Sequence, residues 1–383
     1  VAANHKTDSP RTTNEASEGS SYLSKVPHQL RQVNKNAYEP QLISIGPYHR
    51  GKPHLEEMEI YKRRFVSSIL ATKGKEVDEC VRYNIERARK CYSPEYKLVH
   101  EAFFDMVRVD GCFIVILLCG KATVVDPIFK LRWVQNALYY DLLLLENQLP
   151  FYILEDLYNV IKEVSGEGSG DFASIAFWVL SHLMPGPKKW IKNYPIVKDN
   201  TKIKHLLSLV HDNWCPSSQG IRSHQVYKTE KGKEMMGELE LETEDKWKFI
   251  CCAVEKNVEG DEEKGLTKIS TAAQSQNYLN WRFICCAREK RKKSKGVVEW
   301  QSLRCATELQ EAGVGFTNCT QGSNNIVESL FDISFTNATM TIPTLVVQDH
   351  TERLFRNLIA YEMYEEGMSY VTDYVTLMDN LID

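Results

Sequence analysis

The stretch DLLLLENQLPF, residues 141–151, lies within the most densely apolar part of the chain, residues 129–162. Proline has no backbone N–H to donate, and it disfavours helical geometry in the residue before it. Pro150 therefore predicts that a helix breaks or kinks near Leu149 and that a second helix runs from Phe151 to Ile161. We expect the core to be helical around this break.

A second apolar run, CFIVILLC at 112–119, ends an amphipathic stretch that begins near residue 97. Eight apolar residues fall well short of the roughly 20 that a helix needs to span a bilayer. The run therefore predicts a buried core helix over 97–119 and no membrane-spanning segment within the 383 residues.

Helical spacing of apolar residues is clearest over residues 55–70, where Leu55, Met58 and Phe65 share one stripe. The remaining patterns predict helices at 76–91, 172–184, 201–211, 300–312 and 349–366, the last capped by Asp349 or Thr351. They also predict short strands at 42–45, 329–335 and 339–347, with a turn at Asn337. No regular alternation of strands and helices occurs, so the sequence predicts a mainly α fold: a helical core with a small β-hairpin.

Composition divides the chain into four parts. Residues 1–21 are polar and predict a disordered tail, because they cannot bury enough apolar surface to offset the entropy of ordering. Residues 22–211 form the first part of the helical core, and 300–383 form the rest of it. Between them, 212–299 reads as a long, variable and partly disordered insertion, with an acidic run at 258–264 and a basic run at 288–295.

Overall composition excludes several classes of protein. Of 383 residues, 43% are hydrophobic and 26% charged, and the formal net charge is −4. A wholly disordered chain, a fibrous repeat and a polytopic membrane protein are therefore excluded. Nucleic acid is not an expected partner, because the chain has no global basic footprint and no aromatic residues alternate with the charges of 288–295.

Motifs that signal common chemistries do not occur in the sequence. There is no Walker A loop, G-x-G-x-x-G, H-E-x-x-H, EF-hand loop or G-x-S-x-G. The string GEGSG at 166–170 does not follow a predicted strand, so it indicates a flexible loop rather than a phosphate cradle. We therefore expect no cofactor and no metal.

Four residues remain as catalytic candidates: His49, Asp110, Asp141 and Glu146. His49 and His54 lie in turn sequence without further ligands at metal spacing, which favours turn and surface positions. The three carboxylates adjoin strongly apolar sequence, and burying an unpaired carboxylate is costly. Arginine, lysine or backbone amide partners are their expected environment, with acid–base catalysis as the alternative.

The eleven cysteines separate into classes. Cys112 and Cys119 lie in the predicted core helix, and Cys91 and Cys305 are expected to be packed. Four more belong to a duplicated decapeptide, WKFICCAVEK at 247–256 and WRFICCAREK at 281–290. An odd total without framework spacing predicts mostly reduced thiols and a cytosol-facing domain.

Several ordered motifs together resemble the plant Domain of Unknown Function 247 family, also called uncharacterised protein family 0481. The motifs are VPH at 26–28, YEP at 38–40, ISIGPYH at 43–49, DGCF at 110–113, DLLLLENQLPF at 141–151, ATEL at 306–309 and FRNLIA at 355–360. The chain departs from the family at Arg50, where many members have a second histidine, and this weakens a metal site in that loop.

The resemblance implies a C-terminal hydrophobic segment that anchors the protein in a membrane, with this chain ending at Asp383 before that segment would begin. It also implies recognition rather than catalysis, since some grass members are implicated in pollen self-incompatibility. No catalytic residues are agreed for the family. The leading hypothesis is a membrane-tethered recognition or interaction protein, in cell signalling or self-recognition, with a protein partner. The alternative is an enzyme of specialised metabolism acting on a small molecule in a helical pocket.

Overall fold

The computed structural model describes residues 23–93, 98–120, 127–165, 170–187, 203–215, 305–318, 329–365 and 369–382. The predicted tail at 1–21 and nearly all of the predicted insertion at 212–299, including the duplicated decapeptide, lie outside these residues. Within them the fold is mainly α, with one small sheet, as predicted. The helices are α1 His28–Val33, α2 Glu56–Lys90, α3 His100–Leu118, α4 Arg132–Asp141, α5 Phe151–Ser165, α6 Phe172–Ser181, α7 Leu206–Trp214, α8 Ala306–Glu311, α9 Thr351–Glu362 and α10 Tyr370–Ile382.

The centre of the fold is a layer in which α2, α3 and α5 pack on one another. Phe65 of α2 and Phe113 of α3 are fully buried, and their ring centroids lie 5.2 Å apart in an edge-to-face arrangement. On one side of this layer, α6 packs against α5 and α7. Helix α9 packs against α7, α10 and the short 3₁₀ turn Lys35–Tyr38. Residues 112–118 are buried inside α3, as the composition of the run predicts, whereas Cys119 caps the end of the helix and is half-buried.

The break predicted at Pro150 is present, but it is wider than a kink. α4 ends at Asp141 and α5 begins at Phe151, so nine residues between them are not helical. All nine are buried, which is unusual for a connection because loops normally run over the surface. We call residues 142–150 the buried loop.

Several predicted boundaries differ from the structure. The helices predicted at 55–70 and 76–91 form one helix, α2, interrupted only at Lys73, whose backbone leaves the helical region. The helix predicted at 201–211 instead runs from Leu206 to Trp214, past the expected start of the insertion. Helix α10 was not predicted. The capping prediction for α9 was wrong, because its N-cap is His350 and makes no side-chain cap bond.

The predicted hairpin exists with shorter strands and gains a third. Strands β2, Ser334–Thr336, and β3, Thr339–Ile342, pair antiparallel with Ser334 opposite Thr341. Asn337 and Ala338 both have positive φ, as a two-residue type I′ turn requires. The unpredicted strand β1, Gly315–Asn318, pairs parallel to β3 on its other edge.

Gly46 lies where the N-terminal segment meets the buried loop. Its φ is +68°, and a Cβ added there would lie 2.7 Å from the backbone oxygen of Gln148. Gly51 has a similar φ of +78° but open space around it. Gly46→Ala is therefore expected to lower the free energy of unfolding by about 2–3 kcal/mol, from left-handed strain plus the clash.

Gly51→Ala is the matched control, because it introduces the left-handed strain without the clash. It is expected to lower the free energy of unfolding by about 1 kcal/mol. Urea unfolding of the two variants measures the difference. Equal losses in both variants would mean that the Gln148 backbone yields to the added methyl group.

Candidate functional site

Asp141, the last residue of α4, holds the segment that was predicted to be a strand at 42–45. Its Oδ2 accepts hydrogen bonds from the backbone N–H groups of Leu42 and Ile43 at 2.7 and 3.0 Å, and its Oδ1 accepts one from Gln41 at 2.9 Å. Arg353 of α9 donates to the same Oδ1 at 2.7 Å. No strand forms at 42–45, so that prediction was wrong: a carboxylate satisfies the N–H groups that a neighbouring strand would have taken.

Asn147 of the buried loop continues this attachment. Its Oδ1 accepts the N–H of Ile45 at 2.7 Å, and its Nδ2 donates to the backbone oxygens of Ile43 and Asp141 at 3.1 and 2.9 Å. Gln148 then closes the loop on itself by donating to the carbonyls of Leu142 and Leu144, both at 2.7 Å. These amides make a polar loop stable in the interior, since buried backbone groups need partners.

Asp110 lies fully buried in α3 beside an equally buried lysine. Lys62 of α2 donates to its Oδ1 at 2.5 Å, and the N–H of Gly46 donates to its Oδ2 at 3.0 Å. Lys62 also donates to the backbone oxygen of Ser44 at 2.8 Å and pairs with Glu59 at 2.5 Å. Burial raises the pKa of Asp110, and the Lys62 ammonium opposes that rise.

Glu146 and His49 meet at the other end of the same segment. Glu146 Oε1 accepts the N–H of Val26 at 2.7 Å, its Oε2 pairs with Arg31, and His49 Nε2 lies 3.5 Å from that Oε2. His49 is in a turn, as predicted, but it is buried, so the surface prediction was wrong for it; His54 is exposed. Burial, reinforced by the charge of Lys52, lowers the pKa of His49 to about 3, so the imidazole is neutral.

The four sequence-predicted candidates therefore share one task. Glu146 binds the segment 26–49 at Val26, Asp141 binds it at 41–43 and Asp110 binds it at Gly46, while His49 belongs to it. Each carboxylate has an arginine or lysine partner and at least one backbone N–H, which is the environment predicted for them. Only His49 and Glu146 are in direct proximity.

A second cluster, which sequence reasoning missed, lies where α7 packs against α9. It consists of His211 and Cys215, one helical turn apart, and Glu362 at the end of α9, and all three are buried. His211 Nε2 lies 2.9 Å from Glu362 Oε1, and its Nδ1 lies 3.0 Å from Asp212 Oδ1. One potential ligand atom from each of the three residues lies within 4.8 Å of the others. Among the residues that the structure describes, these three form the group of histidine, cysteine and acidic side chains that lie close enough together to hold a metal ion.

Local hydrogen bonds fix the position of this cluster. His205 caps α7 by accepting the N–H of Ser208 on Nδ1 at 3.1 Å, while Ser208 Oγ accepts the N–H of His205 at 3.1 Å. Glu362 in turn accepts the N–H groups of Val371 and Thr372 at 2.8 and 2.9 Å, at the start of α10. The three helices are thus joined through His211 and Glu362.

The carboxylates of Asp212 and Glu362 flank the two ring nitrogens of His211 and balance a positive charge on its imidazole. Burial alone would lower the pKa of His211, but Cys215, Asp212 and Glu362 around it raise that pKa above its usual range. The pKa of Glu362 is lowered despite burial, because His211 and the α10 N-terminus donate to it. Burial raises the pKa of the Cys215 thiol. The spacing of His211 and Cys215 was visible in the sequence, but Glu362 lies about 150 positions away and no local pattern connects it to them.

The family model described as DUF247, plant protein of unknown function, matches residues 23–383. This chain belongs to the DUF247 family. The resemblance found in its motifs is thereby confirmed. The buried loop and the segment 26–49, which carry the most specific of those motifs, are the parts that the buried carboxylates hold together.

Two relatives of this DUF247 chain come from Arabidopsis thaliana. UPF0481 protein At3g47200 is 36% identical over 213 residues, covering 53% of this chain and 43% of the relative. Putative UPF0481 protein At3g02645 is 22% identical over 387 residues, covering 94% of this chain and 71% of the relative. The chain thus aligns with less than half the length of the first. No solved structure matches it significantly.

Two further observations concern the sequence predictions. Among the described residues, no helix has both the length and the apolarity to cross a membrane. Within the described part of the chain, Cys80, Cys112, Cys215 and Cys305 form no disulfide.

Proposed function

We propose that this DUF247 chain is a recognition or interaction module, tethered to a membrane by a segment following residue 383, with its ordered domain facing the cytosol. Cell signalling or self-recognition is the process that we propose for it. The observation that carries the proposal is that the buried carboxylates of the candidate site are already bound to cationic side chains and backbone N–H groups of the protein itself. Asp110, Asp141 and Glu146 each hold a fixed cation and backbone N–H groups, whereas a general acid or base must exchange its proton with a substrate.

The surface at the start of α4 supports a protein partner. Leu131 and Trp133 are 46% and 62% exposed there, two positions apart. Tryptophan in such a position supplies a large contact area at low entropic cost and is enriched among residues that dominate binding energy. We propose that Trp133 contacts the partner.

Affinity capture from plant tissue tests this proposal, with the protein expressed at its full natural length. We expect a specific protein to be captured with the wild type and lost, by about tenfold or more, with Trp133→Ser. Tyr83→Ser is the matched control, because Tyr83 is an exposed aromatic residue on α2. A protein retained equally by Trp133→Ser would contradict the assigned surface, and a co-purified metabolite in place of a protein would contradict the interaction proposal.

Alkaline carbonate extraction of the same tissue tests the tether. We expect the full-length product to stay with the membrane pellet and a version stopped at Asp383 to be released. Release of both forms would contradict the membrane tether. It would not bear on the proposed protein interaction, which the capture experiment tests separately.

The alternative function, an enzyme of specialised metabolism, is favoured by one observation. His49 Nε2 is buried without a hydrogen bond, next to Glu146 at 3.5 Å. A neutral imidazole in this position could bind a small molecule. A pKa of about 3 makes it a weak base near neutral pH, so the interaction function is preferred.

A further inference from the structure

We propose that His211, Cys215 and Glu362 form a zinc site that clamps α7 to α9. Thiolate, imidazole and carboxylate are the side-chain ligands that zinc takes in proteins, and three of them from the protein leave one of four positions for water. The site has no sequence motif, because two of its ligands lie four positions apart at the end of α7 and the third comes from α9, 151 positions from His211.

The contact between His211 and Glu362 places two of the ligand atoms. Nε2 and Oε1 lie 2.9 Å apart, close to the roughly 3.3 Å separation that two such ligands have on a tetrahedral zinc. In the metal-free protein a proton bridges these atoms. Zinc would replace that proton, and Cys215 would supply the third ligand, since one potential ligand atom of each of the three residues lies within 4.8 Å of the others.

Residues around the cluster already make the contacts that orient metal ligands. Asp212 Oδ1 lies 3.0 Å from His211 Nδ1, so it accepts the proton on that nitrogen and leaves Nε2 for the metal, as carboxylates do behind zinc-bound histidines. Glu362 Oε2 accepts hydrogen bonds from Thr372 N at 2.9 Å and Thr372 Oγ at 2.6 Å. Oε1 accepts the N–H of Val371 at 2.8 Å and faces His211 Nε2, so its second lone pair is the one that the ion would take.

Packing around the cluster restricts solvent and fixes the imidazole. The ring of Tyr361 meets the rings of His211 and His205 edge-on, with centroids 5.1 and 5.3 Å away.

Cobalt binding followed by zinc competition tests the site on the whole 383-residue chain. Cys251, Cys252, Cys285 and Cys286 are first replaced by serine, because these thiols could also bind a soft metal. We expect one Co²⁺ per chain with a thiolate-to-cobalt charge-transfer absorption, which Zn²⁺ abolishes. Cys215→Ser should lose the absorption, and the matched control Cys80→Ser, on α2, should keep it.

Two further measurements separate metal binding from folding. X-ray absorption of the zinc-loaded parent, which needs no variant at the site, should show one sulfur and the remainder nitrogen or oxygen. Asp212→Asn should weaken zinc binding about 10–100-fold with unchanged stoichiometry. Cobalt binding without the absorption, an absorption that survives Cys215→Ser, or a sulfur-free zinc shell would each overturn the proposal.

Discussion

Lys62→Met is expected to lower the free energy of unfolding by about 3–5 kcal/mol, the cost of leaving one member of a buried ion pair without its partner. Methionine keeps most of the side-chain length and the packing between α2 and α3. It removes the ammonium that lies 2.5 Å from Asp110 Oδ1 and 2.8 Å from the backbone oxygen of Ser44. Asp110 is fully buried, so water cannot solvate its carboxylate in place of the lost ammonium.

The pH dependence identifies the cause of this loss. Without Lys62, the pKa of Asp110 in the folded protein rises further above its unfolded value, because burial already raises it. The folded variant then binds a proton that the unfolded chain does not, so its deficit in stability relative to wild type shrinks as the pH falls through the raised pKa of Asp110. Urea unfolding at several pH values measures this difference.

Two controls accompany Lys62→Met. Adding Asp110→Asn should recover most of the loss, since the amide oxygen can still accept the N–H of Gly46. Lys73→Met, on the same helix but partly exposed beside Glu76, should cost no more than about 1 kcal/mol. A pH-independent deficit, or a double variant as unstable as the single one, would show that lost packing and not the buried charge is responsible.

Asp141→Asn is the second large effect, an expected loss of about 3–5 kcal/mol. The carboxylate accepts from Arg353 and from the N–H groups of Gln41, Leu42 and Ile43. An amide offers one acceptor oxygen in place of two, and its NH₂ group would face donors. At least one backbone N–H or the guanidinium is then buried without a partner.

Hydrogen exchange locates the damage. Protection of the amides of Leu42 and Ile43 should fall in Asp141→Asn, while that of the α2–α3 core persists in the native state. Asp78→Asn is the matched control: its ion pair with Arg108 is partly exposed, and its loss should cost no more than about 1 kcal/mol. Unchanged protection at Leu42 and Ile43 would contradict the anchoring role of Asp141.

Much of the candidate site was predictable residue by residue. Apolar sequence around Asp110, Asp141 and Glu146 indicated that they are buried and paired, and each has such partners. The partners themselves were not predictable, because Lys62 and Arg353 lie 48 and 212 positions from the carboxylates they neutralise. His49 was misplaced at the surface for the same reason: turn sequence indicates backbone shape but does not reveal which elements cover the turn.

The amino-acid sequence alone determined the helical class, the break at Pro150, the turn at Asn337 and the family, because these depend on local backbone preferences and on motifs of consecutive residues. Tertiary structure decided that residues 42–45 form no strand, that β1 joins the sheet, and that His211, Cys215 and Glu362 meet. Each of these rests on contacts between distant positions. A side chain such as Asp141 can satisfy the same N–H groups as a neighbouring strand, so only the assembled fold determines which of the two does so.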